Sequence, residues 1–129
     1  MNTKYIILGA LLAAAFYLLR CENEEFAAPI TIIQHADEVE MYLREHKEEI
    51  GDDYEAYKGH IYRVLSYSMH FLHGETAYFP IIAAALVYHD IGLWTHSTLA
   101  YLEPSTFVAK ERLRIQYSRE EMDLLREII

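Results

Sequence analysis

Phe79-Pro-Ile-Ile-Ala-Ala-Ala-Leu-Val-Tyr-His-Asp-Ile-Gly92 is the stretch that decides the fold. From Ile81 to Tyr88 every residue is apolar. A helix with no polar stripe has no solvent face and belongs at the centre of a bundle. Ala77 to Tyr88 is therefore expected to be that central helix, with Pro80 tolerated in its first turn. The run ends on His89-Asp90. A carboxylate beside an imidazole at the end of so apolar a helix is costly unless it is paired or bound to metal.

Upstream, Tyr54 to Leu72 carries Tyr57, Ile61, Val64, Leu65, Ser68, Phe71 and Leu72 at spacings of three and four, the signature of an amphipathic helix. His73-Gly-Glu-Thr76 joins it to the central helix as a turn. His60 lies on the inward stripe, between Tyr57 and Val64. By itself such a histidine reads first as a satisfied core residue. However, His60 and His89 stand equally far from the turn, so a helical hairpin can bring them level. Two imidazoles and a carboxylate then make an N/O site suited to a divalent transition metal.

Further outward, Thr31 to Ile50 is expected to be helical, with Arg44 to Glu49 a solvated face and His46 exposed within it. Gly51-Asp52-Asp53 breaks that helix, and either Asp can cap the next. Leu99 to Pro104 reads as a loop and Ser105 to Gln116 as a helix. Ser118-Arg-Glu-Glu121 matches a capping box that starts a last helix containing Met122, Leu125, Ile128 and Ile129. No strand pair, hairpin turn or repeat stands out, so the expectation is all-α. Ile128-Ile129 lacks a helix-ending signature. Both isoleucines are expected to be exposed, and the domain at 31–129 to be partial at its C-terminus.

The 129 residues suffice for one domain, and 53% hydrophobic with 24% charged residues suits a globular core. Eleven Tyr suggest packing with polar edges. A net charge of -9 argues against a nucleic-acid polymer as partner. It leaves room for a small anionic substrate, because a bound metal can reverse the local field. Cys21 stands alone, so no internal disulfide forms.

Residues 1–21 form a separate hydrophobic segment, joined by a polar linker at 22–30. Tyr5 to Leu19 is apolar over fifteen residues between Lys4 and Arg20. A membrane-anchoring transmembrane helix is the first expectation, although a spanning helix usually needs about 20 residues. A signal peptide and a buried first helix are the rivals. The anchor reading implies membrane association through residues 5–19, and the buried-helix reading a cytoplasmic protein.

Tyr57-Lys-Gly-His60-Ile-Tyr-Arg63-Val64, followed by Ala83 to Trp94 with its His89-Asp90-Ile-Gly-Leu, resembles the HD superfamily of metal-dependent phosphohydrolases. That family has one His, then an adjacent His-Asp pair, then a distant Asp. The match covers roughly residues 55–129. The resemblance implies an HD-like helical bundle, with His60, His89 and Asp90 as metal ligands and Arg63 at a commonly basic position. It also implies a divalent cofactor (Fe, Mn, Zn, Mg or similar) and hydrolysis of a small phosphorylated substrate, nucleotides included, with His89 and Asp90 as the catalytic pair. The departure is the last Asp. Only Asp123 follows Asp90, closer than the family places it. The rival readings are an inactive sensory or scaffolding HD-like domain and a truncated fragment without function.

Weaker candidates compete with ordinary roles. His96 could join the cleft but suits a loop. His70 and His73 suit a surface turn, and His35 with Asp37 and Glu38 a solvated helix face. Lys110, Arg112 and Arg114 could meet phosphate, though a solvated face fits them better. Trp94 and Tyr101 could stack on a base, though core packing fits them better.

Overall fold

Ile81 to Tyr88 are all buried, and this single fact organises the chain. The structure, a computed structural model, describes residues 28–129. Among these, all regular structure is helical: α1 (Asp37–Glu45), α2 (Lys47–Ile50), a 3-10 turn (Gly51–Asp53), α3 (Tyr54–Phe71), α4 (Phe79–Tyr88), α5 (Gly92–Thr95), α6 (Leu102–Leu113) and α7 (Arg119–Ile128). Thr31–Ile129 forms one compact unit. Helix α4 is its axis and packs against α1, α3, α6 and α7. Each neighbour turns its own apolar residues inward: Val39 and Leu43, Ile61 and Leu65, Ala109 and Leu113, and Leu125.

The hairpin of α3 and α4 forms as its sequence indicates. Pro80 occupies the first turn of α4. The connecting bend, including His73 and Gly74 with positive φ, is exposed throughout. The capping box at α7 is also present: the Ser118 hydroxyl accepts from Glu121 N–H, and the Glu121 carboxylate accepts from Ser118 N–H.

Several expected boundaries differ. The helix expected from Thr31 begins only at Asp37, because the preceding segment gives its amides to α3: Ile33 N–H donates to Ser66 Oγ (2.9 Å) and Ala36 N–H to the Tyr62 hydroxyl (3.1 Å). Asp53 sits at the start of α3 without a side-chain cap; it accepts instead from Trp94 Nε1 at 3.1 Å. Helix α6 starts at Leu102 and takes in Pro104, which its first turn tolerates. His46 is largely buried, its ring edge-on to Tyr88 (centroids 5.6 Å) and its Nδ1 2.7 Å from Glu49 Oε2. Ile128 and Ile129 are partly buried against the core, where exposure was expected.

The N-terminal segment and Cys21 lie outside the described residues. Among the described residues no helix is long and apolar enough to cross a membrane.

Two contacts yield tests. Gly92 lets α5 and α6 meet: a Cβ there would lie 2.6 Å from the Tyr101 carbonyl oxygen and 3.0 Å from Pro104 and Ser105 side-chain atoms. Its N–H donates to the buried Ser105 hydroxyl at 2.9 Å. Gly92→Ala should destabilise the protein by about 1–3 kcal/mol in chemical denaturation, because a backbone oxygen cannot step aside as a side chain can.

Glu40 accepts from Lys58 Nζ (2.7 Å) and the Tyr62 hydroxyl (2.6 Å), which hold its carboxyl below the ordinary carboxylate value despite some desolvation. A depressed carboxylate stabilises the fold above its unfolded value and ceases to as pH falls through its folded one. Glu40→Gln should cost about 1 kcal/mol at pH 7, and urea unfolding at pH 3 should find the gap narrowed. A gap of equal size at pH 3 would count against the ionic account.

Candidate metal centre

His60 belongs to the middle of α3, one turn beyond Tyr57 and on the face turned towards α4. His89 and Asp90 leave the C-terminal end of α4, where the helix tightens into a turn before α5. The hairpin brings the three together. His60 Nε2 lies 3.1 Å from His89 Nε2 and 3.6 Å from Asp90 Oδ2, and His89 Nε2 lies 3.0 Å from Asp90 Oδ2. The imidazoles lie nearly parallel, with centroids 5.1 Å apart. The cluster is graded in depth: the side chains of His89 and Asp90 are 17% and 20% exposed, and that of His60 is 42% exposed. His60 therefore forms the solvent side.

The His89 tautomer follows from its surroundings. Its Nδ1 meets the Leu86 carbonyl oxygen, which can only accept, so Nδ1 carries the proton. Neutral His89 then offers a lone pair at Nε2, directed at Asp90 and His60. Lone pairs and a carboxylate at 3.0–3.6 Å repel one another unless a proton or a cation lies among them. His60 favours the neutral form: desolvation lowers its value, the neighbouring His89 and Arg63 lower it further, and Asp90 alone opposes them. Two imidazole nitrogens and one carboxyl oxygen, all within 4.8 Å, are a donor set that fits a divalent transition ion. The carbonyl bond to His89 is the outer-shell support that ligating histidines usually have.

Two aromatic residues complete the site. Tyr57 is buried; its ring lies 5.9 Å from that of His89 and 6.4 Å from that of His60. Its hydroxyl donates to the Val87 carbonyl (2.8 Å) and accepts from Asp90 N–H (3.3 Å). Burial drives this phenol far above its ordinary value, so it remains a donor at any working pH. Trp94 packs on Tyr57 at a tilt, with centroids 4.6 Å apart and planes 50° from parallel. In the sequence Tyr57 counts only as one more apolar-stripe residue. The available signal is its position one turn before His60, on the same face.

The other candidates stay away from the cluster. Asp123 is exposed on α7 and is not among the converging groups. His96 is exposed, its Nδ1 2.9 Å from the Thr95 hydroxyl. His73 is exposed in the bend, and His70 sets its ring against Phe71. His35 pairs with Asp37 in solvent. Arg112 is bound twice to Glu45 on α1, and Arg114 faces Glu111. Lys110 is exposed on α6. Arg63 is the exception: exposed one turn past His60, it is near enough for its charge to act on that imidazole, and its guanidinium passes over Gly59, where a Cβ would lie 3.2 Å from it. An apolar groove of about 770 Å³ between the end of α3, the start of α4 and the length of α7, lined by Phe71, Leu72, Tyr78 and Leu124 among others, contains none of the three converging residues.

No protein-family model, curated protein or solved structure matches this chain.

Proposed function

We propose that the chain is an HD-like, metal-dependent phosphohydrolase acting on a small phosphate ester, with nucleotides among the candidate substrates. The observation that carries this reading is the convergence of His60 Nε2, His89 Nε2 and Asp90 Oδ2, with the His89 lone pair aimed inward. These three residues would hold a divalent ion such as iron, manganese, zinc or magnesium. Such an ion, when bound, lowers the pKa of a coordinated water and polarises a phosphoryl oxygen.

The chain's own groups do the rest. Asp90 has a second carboxylate oxygen free to accept a proton from an attacking water and so orient it. His60, on the exposed side, faces the direction from which substrate arrives. Arg63 brings a positive charge to the same stretch of α3, against a chain whose net charge is -9. That balance suits one small anion better than a nucleic-acid polymer.

A second reading is a domain that keeps the cluster without turnover, in a sensory or scaffolding role. The exposure of Asp123, away from the three converging groups, favours it. The two readings divide on activity once metal is present.

Elemental mass spectrometry of the purified chain after mild dialysis is expected to find close to one divalent ion per chain. Hydrolysis of bis(p-nitrophenyl) phosphate should depend on that ion. Asp90→Ala should lose the metal and keep its helical circular dichroism. Unchanged stoichiometry in that variant would remove the site assignment, and metal without hydrolysis of any phosphate ester tried would favour the second reading.

Arg63 offers an independent test. Gly59→Ala adds a methyl group in the path of the guanidinium, while alanine should favour the helix by roughly 0.5–1 kcal/mol. The variant is expected to melt higher and to show a raised KM with little change in kcat. An unchanged KM in Arg63→Gln would show that Arg63 does not meet substrate.

A further inference from the structure

Helix α4 ends in an unusual way. In a continuous helix Asp90 N–H would donate to the Leu86 carbonyl and Ile91 N–H to the Val87 carbonyl. Here both carbonyls are otherwise engaged: Leu86 accepts from His89 Nδ1, and Val87 accepts from the Tyr57 hydroxyl. Ile91 N–H turns to the Tyr88 carbonyl at 3.1 Å, the tighter pattern of a 3-10 turn. Asp90 N–H donates to Tyr57 Oη. One buried phenol from α3 thus occupies the gap in the ladder, donating to one backbone group and accepting from another.

This gap lies at the tight bend that links α4 to α5. His89 and Ile91 keep right-handed helical dihedrals there, and the His89 and Asp90 side chains meet, Nε2 and Oδ2 3.0 Å apart. Unmatched buried backbone groups would cost about 1–3 kcal/mol each, so the bend is stable only if something satisfies them. The Tyr57 hydroxyl does so, and its ring lies nearly parallel to those of His60 and His89 (25° in each case), limiting their tilt.

We propose that Tyr57 is the positioning residue of this site: its hydroxyl holds the bend that directs His89 Nε2 and Asp90 Oδ2 to the point His60 faces. The role as a support for metal binding rests on the reading given above; the role in fixing the bend and the His89 tautomer does not.

The test uses the full chain and Tyr57→Phe, which keeps the ring and removes the hydroxyl. Cobalt(II) titration followed by visible absorption should show affinity reduced about 10- to 100-fold, as for other outer-shell losses, with a shifted band. Without that hydroxyl, Asp90 N–H can return to the Leu86 carbonyl and displace His89 Nδ1, so side-chain nitrogen NMR should show His89 leaving a single Nδ1–H tautomer for a mixture, at unchanged helical circular dichroism. Unchanged affinity, band and tautomer would overturn the proposal. If the wild-type chain takes up no cobalt, the metal reading fails, and the tautomer comparison still decides the role of Tyr57. Hydrogen exchange supplies a check without any variant. The Asp90 amide of the wild type should be protected, and an amide exchanging at the unprotected rate would also overturn the proposal.

Discussion

A helix that cannot show any side to water dictates this fold. Ile81, Ile82, Leu86 and Val87 are each 8% exposed or less, and burying such a side chain contributes roughly 1.5–3 kcal/mol. A single hydrogen bond contributes about 1 kcal/mol net. The apolar sum along α4 therefore outweighs any one polar contact around it. The protein meets the demand by surrounding α4 with α1, α3, α6 and α7, and most of the observed packing follows from that arrangement.

The same constraint gives the cluster its character. Where α4 stops, a buried run that resumes at Ile91 is interrupted by two partly exposed residues, His89 and Asp90. At that boundary a polar group is dry enough for electrostatic interactions to be strong, yet open enough on the His60 side for a ligand to enter. The carbonyls of Leu86, Val87 and Tyr88, the last turn of α4, are taken by His89 Nδ1, the Tyr57 hydroxyl and Ile91 N–H. The geometry of the cluster is thus specified by backbone hydrogen bonding as much as by the three side chains themselves.

The sequence made much of this legible, for reasons that can be named. The α3–α4 hairpin could be read because its arms show clear patterns, amphipathic in one and wholly apolar in the other. The turn between them makes the meeting of His60 and His89 a matter of counting. The capping box at Ser118 could be read because it is local chemistry. The false extension of α1 to Thr31 arose because its amides are taken by Ser66 and Tyr62, more than twenty residues away. His46 misled for a similar reason: its neighbours in sequence are charged, and its neighbour in space is Tyr88. Tyr57 was hidden because an aromatic on an apolar stripe looks like packing. Its hydroxyl matters only once Val87 and Asp90 are seen beside it.

The exposed bend at residues 73–78 has a consequence for how the chain can be altered. His60 is eleven residues, or about 16 Å of helix, from the end of α3, so the bend and the cluster lie at opposite ends of the hairpin. The entropy of closing a loop rises only with the logarithm of its length, about 0.6 kcal/mol per doubling. Extra residues inserted there would weaken the hairpin slightly and leave the register of its arms to the core. Protein engineers looking for a position to graft a tag, a reporter or a second domain would find it at this end, where the chain is most tolerant and the chemistry most distant.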